Sequence, residues 1–236
     1  MIVFFGCNGK TSAGEKSKKA LSETENAMQT YILPPPDTEG SVSVEKALAN
    51  RRSRRDFQNR ELSIDQLSQI LWAAYGVTHP RTDIPSLRGG LRTAPSAGAL
   101  YPLEIYAIVG NVKGIEAGVY KYVSQEHKIT RTISKDVRAE LAAAALGQAM
   151  IRDAPVTIAY SAIFSRITGR YGERGRERYV FIEVGHSAQN VYLQAEGLQL
   201  GTCAIGAFID DKVKEALQLP KEEEPLYLMP VGYFRN

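Results

Sequence analysis

The spacing of apolar residues changes several times along this chain, and each change marks an element. From Ser43, "SVEKALANRRS" sets Val44, Ala47 and Leu48 at helical spacing behind a serine suited to cap the first turn. The pattern strengthens in "LSIDQLSQILWAAYG". There Ile64, Leu67, Ile70, Leu71 and Ala74 share one face, Ser63 and Gln66 form a capping box, and Gly76 ends the helix. "LEIYAIVG" then reads as a strand, and "GVYKYVSQEHKITRTI" as a hairpin turning at Ser124 to His127. "SKDVRAELAAAALGQAM" is expected as one helix capped by Ser134, and the unbroken apolar run of "APVTIAYSAIF" as a buried strand. The longest helix is expected from Gly175 to Leu198. Val180, Val184, Ala188, Val191, Ala195 and Leu198 make one stripe on it, and Phe181, Ile182, Gly185, Tyr192 and Leu193 a second. A helix apolar on two sides is buried on two sides, centrally in a domain or between subunits. "IDDKVKEALQL" closes the helices and "PLYLMPVGYF" is a terminal strand.

Strands and helices mix without strict alternation, which predicts an α+β fold rather than a doubly wound sheet. The 236 residues suffice for one large domain with a tail. The boundary falls at residue 43: residues 43–236 form the domain, and 1–42 a disordered or linker tail in which Pro34 to Pro36 force an extended chain. In "MIVFFGCNGK" an apolar run precedes Cys7, as at the end of a bacterial lipoprotein signal. The run is short and lacks a basic start. Cys7 is therefore a candidate lipid anchor, and the expected location is cytoplasmic, or membrane-anchored if Cys7 is lipidated. No apolar run approaches the roughly 18 residues that span a membrane. Two cysteines and three histidines without ligand spacing point to no metal. A net charge of +3 gives no general field for a polyanion, so no nucleic-acid partner is expected.

Three stretches carry candidate chemistry. "RRSRRDF", Arg51 to Phe57, crowds four arginines around a serine. Each guanidinium is a planar fork suited to phosphate or carboxylate, although a solvated basic helix end explains the charge equally well. In "PSAGALYP", Ser96, Ala97 and Gly98 let a flat ligand or another backbone approach closely; a tight loop is the plainer reading. "LGTCAIGAF" follows the longest helix, and its small residues free backbone N–H groups to face a ligand. It also reads as a simple connection with Cys203 as a buried hydrophobe. No nucleophile–base pair stands out, and no glycine fingerprint follows a strand.

These stretches, with "RTAPSAGALYPLEIY", "GVYKY", "RYGERGRERYVFIEVGHSAQNVYLQAEGLQLGTCAIG" and "PVGYF", occur in the order found in the nitroreductase superfamily. The chain from about Val44 to Tyr233 resembles that family throughout, and its SagB-type, azoline-dehydrogenase-like branch in particular. The resemblance implies a nitroreductase-like fold, a central mainly antiparallel sheet flanked by helices, in an intertwined homodimer with FMN at the subunit interface. It further implies that Arg51, Arg52, Ser53 and Arg55 hold the flavin phosphate and pyrimidine edge, leaving Arg54 solvated or paired across the dimer. Pro95, Ser96, Ala97 and Gly98 would contact the flavin from the partner, and Ile205, Gly206 and Ala207 would set amides near N5 and O4. Arg235 is the candidate for the basic residue that many members carry after the terminal strand. The implied activity is an FMN-dependent oxidoreductase taking hydride from NAD(P)H to a small nitro-aromatic or quinone-like acceptor. A SagB-type dehydrogenase oxidising azoline rings of a modified peptide is one alternative; a flavin-binding interaction protein without turnover is another. Tyr101 and Tyr120 are guesses for an acid or base, and "YKY" at Tyr120 to Tyr122 superficially matches the Lys–Tyr pair of azoline dehydrogenases.

Overall fold

A computed structural model describes residues 29–235. Its elements run β1 (Thr30–Ile32), α1 (Val44–Asn50), α2 (Ile64–Tyr75), β2 (Val77–Pro80), β3 (Gly90–Arg92), β4 (Leu103–Val109), β5 (Gly118–Val123) and β6 (Lys128–Ile133). There follow α3 (Arg138–Ala144), α4 (Ala149–Asp153), β7 (Val156–Ala162), α5 (Ser165–Arg174), α6 (Val180–Gly197), β8 (Gly201–Thr202), α7 (Asp210–Ala216) and β9 (Glu224–Gly232). Seven strands form one sheet in the order β1-β6-β5-β4-β7-β9-β8, every pair antiparallel, while β2 and β3 make a separate hairpin. The fold is α+β, as expected.

Side chains alternate across a strand, so a sheet covered on both faces reads as an unbroken apolar run. In β4, Leu103, Ile105, Ala107 and Val109 enter the core beneath α2 and α6, while Tyr106 and Ile108 enter the one beneath α3, α4 and α7. In β7, Val156, Ile158, Tyr160 and Ala162 join the first core and Ala159 the second. The helix caps form as predicted: Ser43 accepts from the Lys46 N–H, and Ser63 and Gln66 complete their reciprocal box before Gly76 closes α2.

Three expectations need correction. The linker reading fails from Thr30 onward. The same forced extension that suggested a linker suits a strand: β1 pairs with β6, and Leu33 is buried with its N–H on His127 O at 3.0 Å. Pro34 O then accepts from Ser68 Oγ at 2.6 Å, and Asp37 and Gln69 exchange two hydrogen bonds at 2.9 Å. Cys7 lies outside the described residues. Second, the single helix after Ser134 is two. Leu146 and Gly147 adopt left-handed φ of 59° and 76°, which ends α3 before α4 starts. Ser134 caps neither; Asp136 Oδ1 accepts from the Arg138 N–H at 3.0 Å. Third, the long helix begins with a π-turn at Gly175–Tyr179, preceded by the unpredicted α5. Glycines at 169 and 172 weaken the propensity signal there, and only Ile167 of α5 is buried.

Candidate functional site

The arginine stretch leaves α1 extended and runs beside β8. Ser53 bridges Thr202, and the Arg54 N–H donates to Thr202 O at 2.9 Å. Tyr192, on α6, ties the neighbourhood together: its hydroxyl lies 3.0 Å from Ser53 Oγ, accepts from the Ala204 N–H at 2.8 Å, and its ring sits 5.2 Å beneath the Arg51 guanidinium. Arg52 turns back on the helix end, where Nη1 donates to Ala49 O and Arg51 O at 3.0 and 2.8 Å. Arg55 is exposed and near enough to Cys203 for its charge to act on the thiol. Among the described residues, no carboxylate pairs with Arg51, Arg52 or Arg55.

Arg54 is not simply solvated. It is half-buried, with its guanidinium 4.3 Å over the Phe234 ring and its stem crossing Gly201, where an added Cβ would lie 2.7 Å from Arg54 Cβ. The terminal strand's extension explains the placement. Gln58 and Tyr233, Phe57 and Phe234, and Asp56 and Arg235 pair antiparallel, which also puts the Arg235 guanidinium 3.6 Å from the Asp56 carboxylate. Arg235 thus lies beside the arginine stretch with its charge answered by Asp56.

The turn after β8 faces the same region. The Ile205 N–H donates to Leu228 O at 2.8 Å, so that amide is already used. The N–H groups of exposed Gly206 and Ala207 meet no acceptor among the described residues. Cys203 is fully buried, and burial pushes its thiol up to about 11 against the pull of Arg55, which suits a packing role and not a nucleophile.

Pro95 to Gly98 lie elsewhere on the chain. With Tyr179, Ile182, Glu183 and His186, residues Pro95, Ser96 and Ala97 line an open cavity of about 300 Å³ at the start of α6. Gly98 has φ +63°, and its missing side chain leaves room for the Tyr171 hydroxyl, 2.8 Å from where a Cβ would sit. The α6 residues that meet the two groups, Glu183 and Tyr192, are nine positions apart, about 14 Å of helix rise, while Asn190 between them donates to Thr93 O at 3.2 Å just before the Pro95 loop.

Sequence reasoning missed Glu183. It is 1% exposed, accepts a short hydrogen bond from the buried Tyr75 hydroxyl, and keeps Oε2 buried without a well-formed hydrogen bond among the described residues. Burial raises its carboxyl to about 7, while Ser96, Tyr75 and the Arg92 charge pull it back. The available signal was a carboxylate one residue before Val184, inside an otherwise apolar stretch. Arg92 stacks 4.4 and 4.6 Å from the rings of Tyr75 and Tyr101. "YKY", by contrast, is structural. Tyr120 donates to Glu116 O at 2.8 Å, Lys121 pairs with Glu104 and Glu223, and Tyr122 lies 2.8 Å from His127 Nδ1. Tyr120 is fully buried, which removes it as an acid or base; Tyr101 is 3% exposed behind the loop.

The geometry agrees with comparisons to known proteins. A protein of Methanocaldococcus jannaschii described as a nitroreductase is 49% identical over 197 residues, 84% of this chain and 93% of its own length. Trifolitoxin operon protein TfxC of Rhizobium leguminosarum is 24% identical over 86% of the chain, and the trifolitoxin-processing protein TfxB 29% over 59%. The matches span 59% and 39% of those two proteins. Among solved structures, a nitroreductase of Ralstonia eutropha superposes with a TM-score of 0.74 at 28% identity, covering 89% of this chain and 91% of that one. The Escherichia coli microcin synthetase complex, solved with a truncated pro-peptide, shares the fold at a TM-score of 0.64 and 20% identity, covering 98% and 85%. The nitroreductase family profile matches residues 48–233, and with the antiparallel sheet and long helix in place this chain belongs to that family.

Proposed function

We propose that the protein is an FMN-dependent oxidoreductase that takes hydride from NAD(P)H to a small nitro-aromatic or quinone-like acceptor. The observation that carries this is the set of Arg51, Arg52 and Arg55, without carboxylate partners among the described residues, against a turn whose Gly206 and Ala207 amides meet no acceptor among them. That donor set fits the group: cations for a phosphate of about −1.5 to −2 charges, and N–H groups for ring atoms that gain electron density. When bound, the flavin supplies the two-electron chemistry. Arg51 and Arg55 hold the phosphate end, and Ser53 is oriented by Tyr192. The amides at 206 and 207 favour the reduced ring. Pro95 to Gly98 close over it from a second copy of the chain.

The relatives favour one second reading, oxidation of azoline rings in a modified peptide, because TfxB is a trifolitoxin-processing protein. The small open cavity beside Pro95 suits a compact acceptor and is the reason for ranking it second. The test is the colour of the purified protein. Flavin absorbance that NADPH bleaches, and that Arg55→Ala largely abolishes, is the expected result. A colourless protein that takes up no added FMN overturns the proposal.

A further inference from the structure

The buried carboxyl of Glu183 has no assigned task, and its surroundings limit what it can do. Tyr75 on α2 donates to Oε1, so a proton on this carboxyl belongs on Oε2, which is buried and meets no hydrogen-bond partner of good geometry among the described residues, although the Ser96 hydroxyl acts on the carboxyl from nearby. Arg92 comes from β3 and lies over the Tyr75 and Tyr101 rings, and Ser96 comes from the loop. Tyr179 and His186 flank Glu183 on its own side of the cavity. Arg92 is the one cation acting on the carboxyl, and burial outweighs it, so the acid keeps its proton up to about pH 7. Glu183 lines the cavity with Oε2 itself buried, so a neutral acid stands directly behind the wall that an acceptor would meet, beside the Ser96 hydroxyl that shares the wall.

We propose that Glu183 delivers the proton that accompanies hydride transfer to an acceptor in the Pro95–His186 cavity, with Tyr75 as the residue that positions its carboxyl. This rests on the flavin reading above. A bound flavin reduced by NAD(P)H would supply a quinone-like acceptor with one hydride (both electrons and one of the two protons), which leaves one proton for this chain to deliver. The Glu183 O–H bond breaks, its proton forms the second O–H bond of the hydroquinone, and the carboxylate regains a proton from water at the open mouth.

The test uses the full-length protein loaded with FMN, between about pH 5.5 and 8.5. Infrared spectra should show a protonated carboxyl band that titrates near neutrality and disappears in Glu183→Gln. In stopped flow, Glu183→Gln should slow reoxidation by 1,4-benzoquinone about a hundredfold and erase its inflection near neutral pH, with a far smaller effect on bleaching by NADPH. Tyr75→Phe, which keeps the acid and removes its anchor, should shift both the band and the inflection; it also serves if the glutamine variant does not fold. An ionised Glu183 at pH 6, or wild-type reoxidation in Glu183→Gln, overturns the proposal. A protein without flavin overturns the functional reading as well, and the absorbance spectrum shows that before any kinetics.

Discussion

Glu183 also links single-residue chemistry to stability. An unfolded glutamate titrates near 4.5 and the folded one near 7, so between those values the folded state holds a proton that the unfolded state has lost. Stability therefore falls as pH rises from about 4.5 to about 7, with a total effect on the order of 3 kcal/mol at most. Glu183→Gln removes the titrating group and keeps most of the shape. Its denaturation midpoint should change less than that of the wild type over this window, which urea titrations at several pH values will read directly. A wild-type slope retained in the variant would place the linked proton elsewhere. The sign separates Glu183 from Glu104, whose burial is outweighed by Lys121 and Arg166 so that its carboxyl is held below the ordinary range. Both carboxylates are buried, but among the described residues only Glu104 makes direct ion pairs.

At the scale of elements, the parts legible in the sequence are those whose signals are local. The Ser63–Gln66 capping box formed atom for atom, with bonds of 3.0 and 3.1 Å, because cap and helix lie within four residues of each other. Ser63→Ala should cost about 1 kcal/mol, measured as a lowered urea midpoint with an unchanged slope, since the Gln66 N–H loses its acceptor at the start of a buried helix. The strands β4, β7 and β9 were equally plain from their apolar runs. β1 and α5 were not. β1 becomes a strand only because β6 offers an edge and His127 and Ser68 hold Pro34, contacts dozens of residues away. α5 is polar and glycine-rich and gains its order by packing Ile167 and Phe164 beneath the π-turn. The same division runs through the site. The arginine stretch and the two small-residue loops could be read as motifs. The pairing of Arg235 with Asp56, the stacking of Arg54 on Phe234 and the loss of the Ile205 amide depend on which strand ends meet.

For the whole molecule, the open question of the two-sided helix has a physical answer in its exposure. Val180, Val184, Ala188, Val191 and Ala195 of α6 are buried against the sheet, whereas Phe181 and Ile182 remain 52% and 48% exposed. Val44 and Leu48 of α1 are also exposed, beside a groove of about 810 Å³ that Leu193 and Leu198 help to line. On the proposed flavin reading, the Arg51–Arg55 stretch and the Pro95–Gly98 loop, which meet α6 at positions nine residues apart, would be completed by a second copy docking on these exposed apolar residues. Self-association and cofactor retention are then one property. Phe181→Glu places a charge on that surface without touching the arginine stretch or the turn at Gly206. It should convert a dimer to a monomer in light scattering, and the same fractions should lose flavin absorbance together. A charged monomer that keeps its flavin would show that one chain is sufficient and that Pro95 to Gly98 serve another purpose. A dimer unaffected by the charge would move the interface to the α1 face, where Leu48→Glu gives the same paired reading of mass and colour.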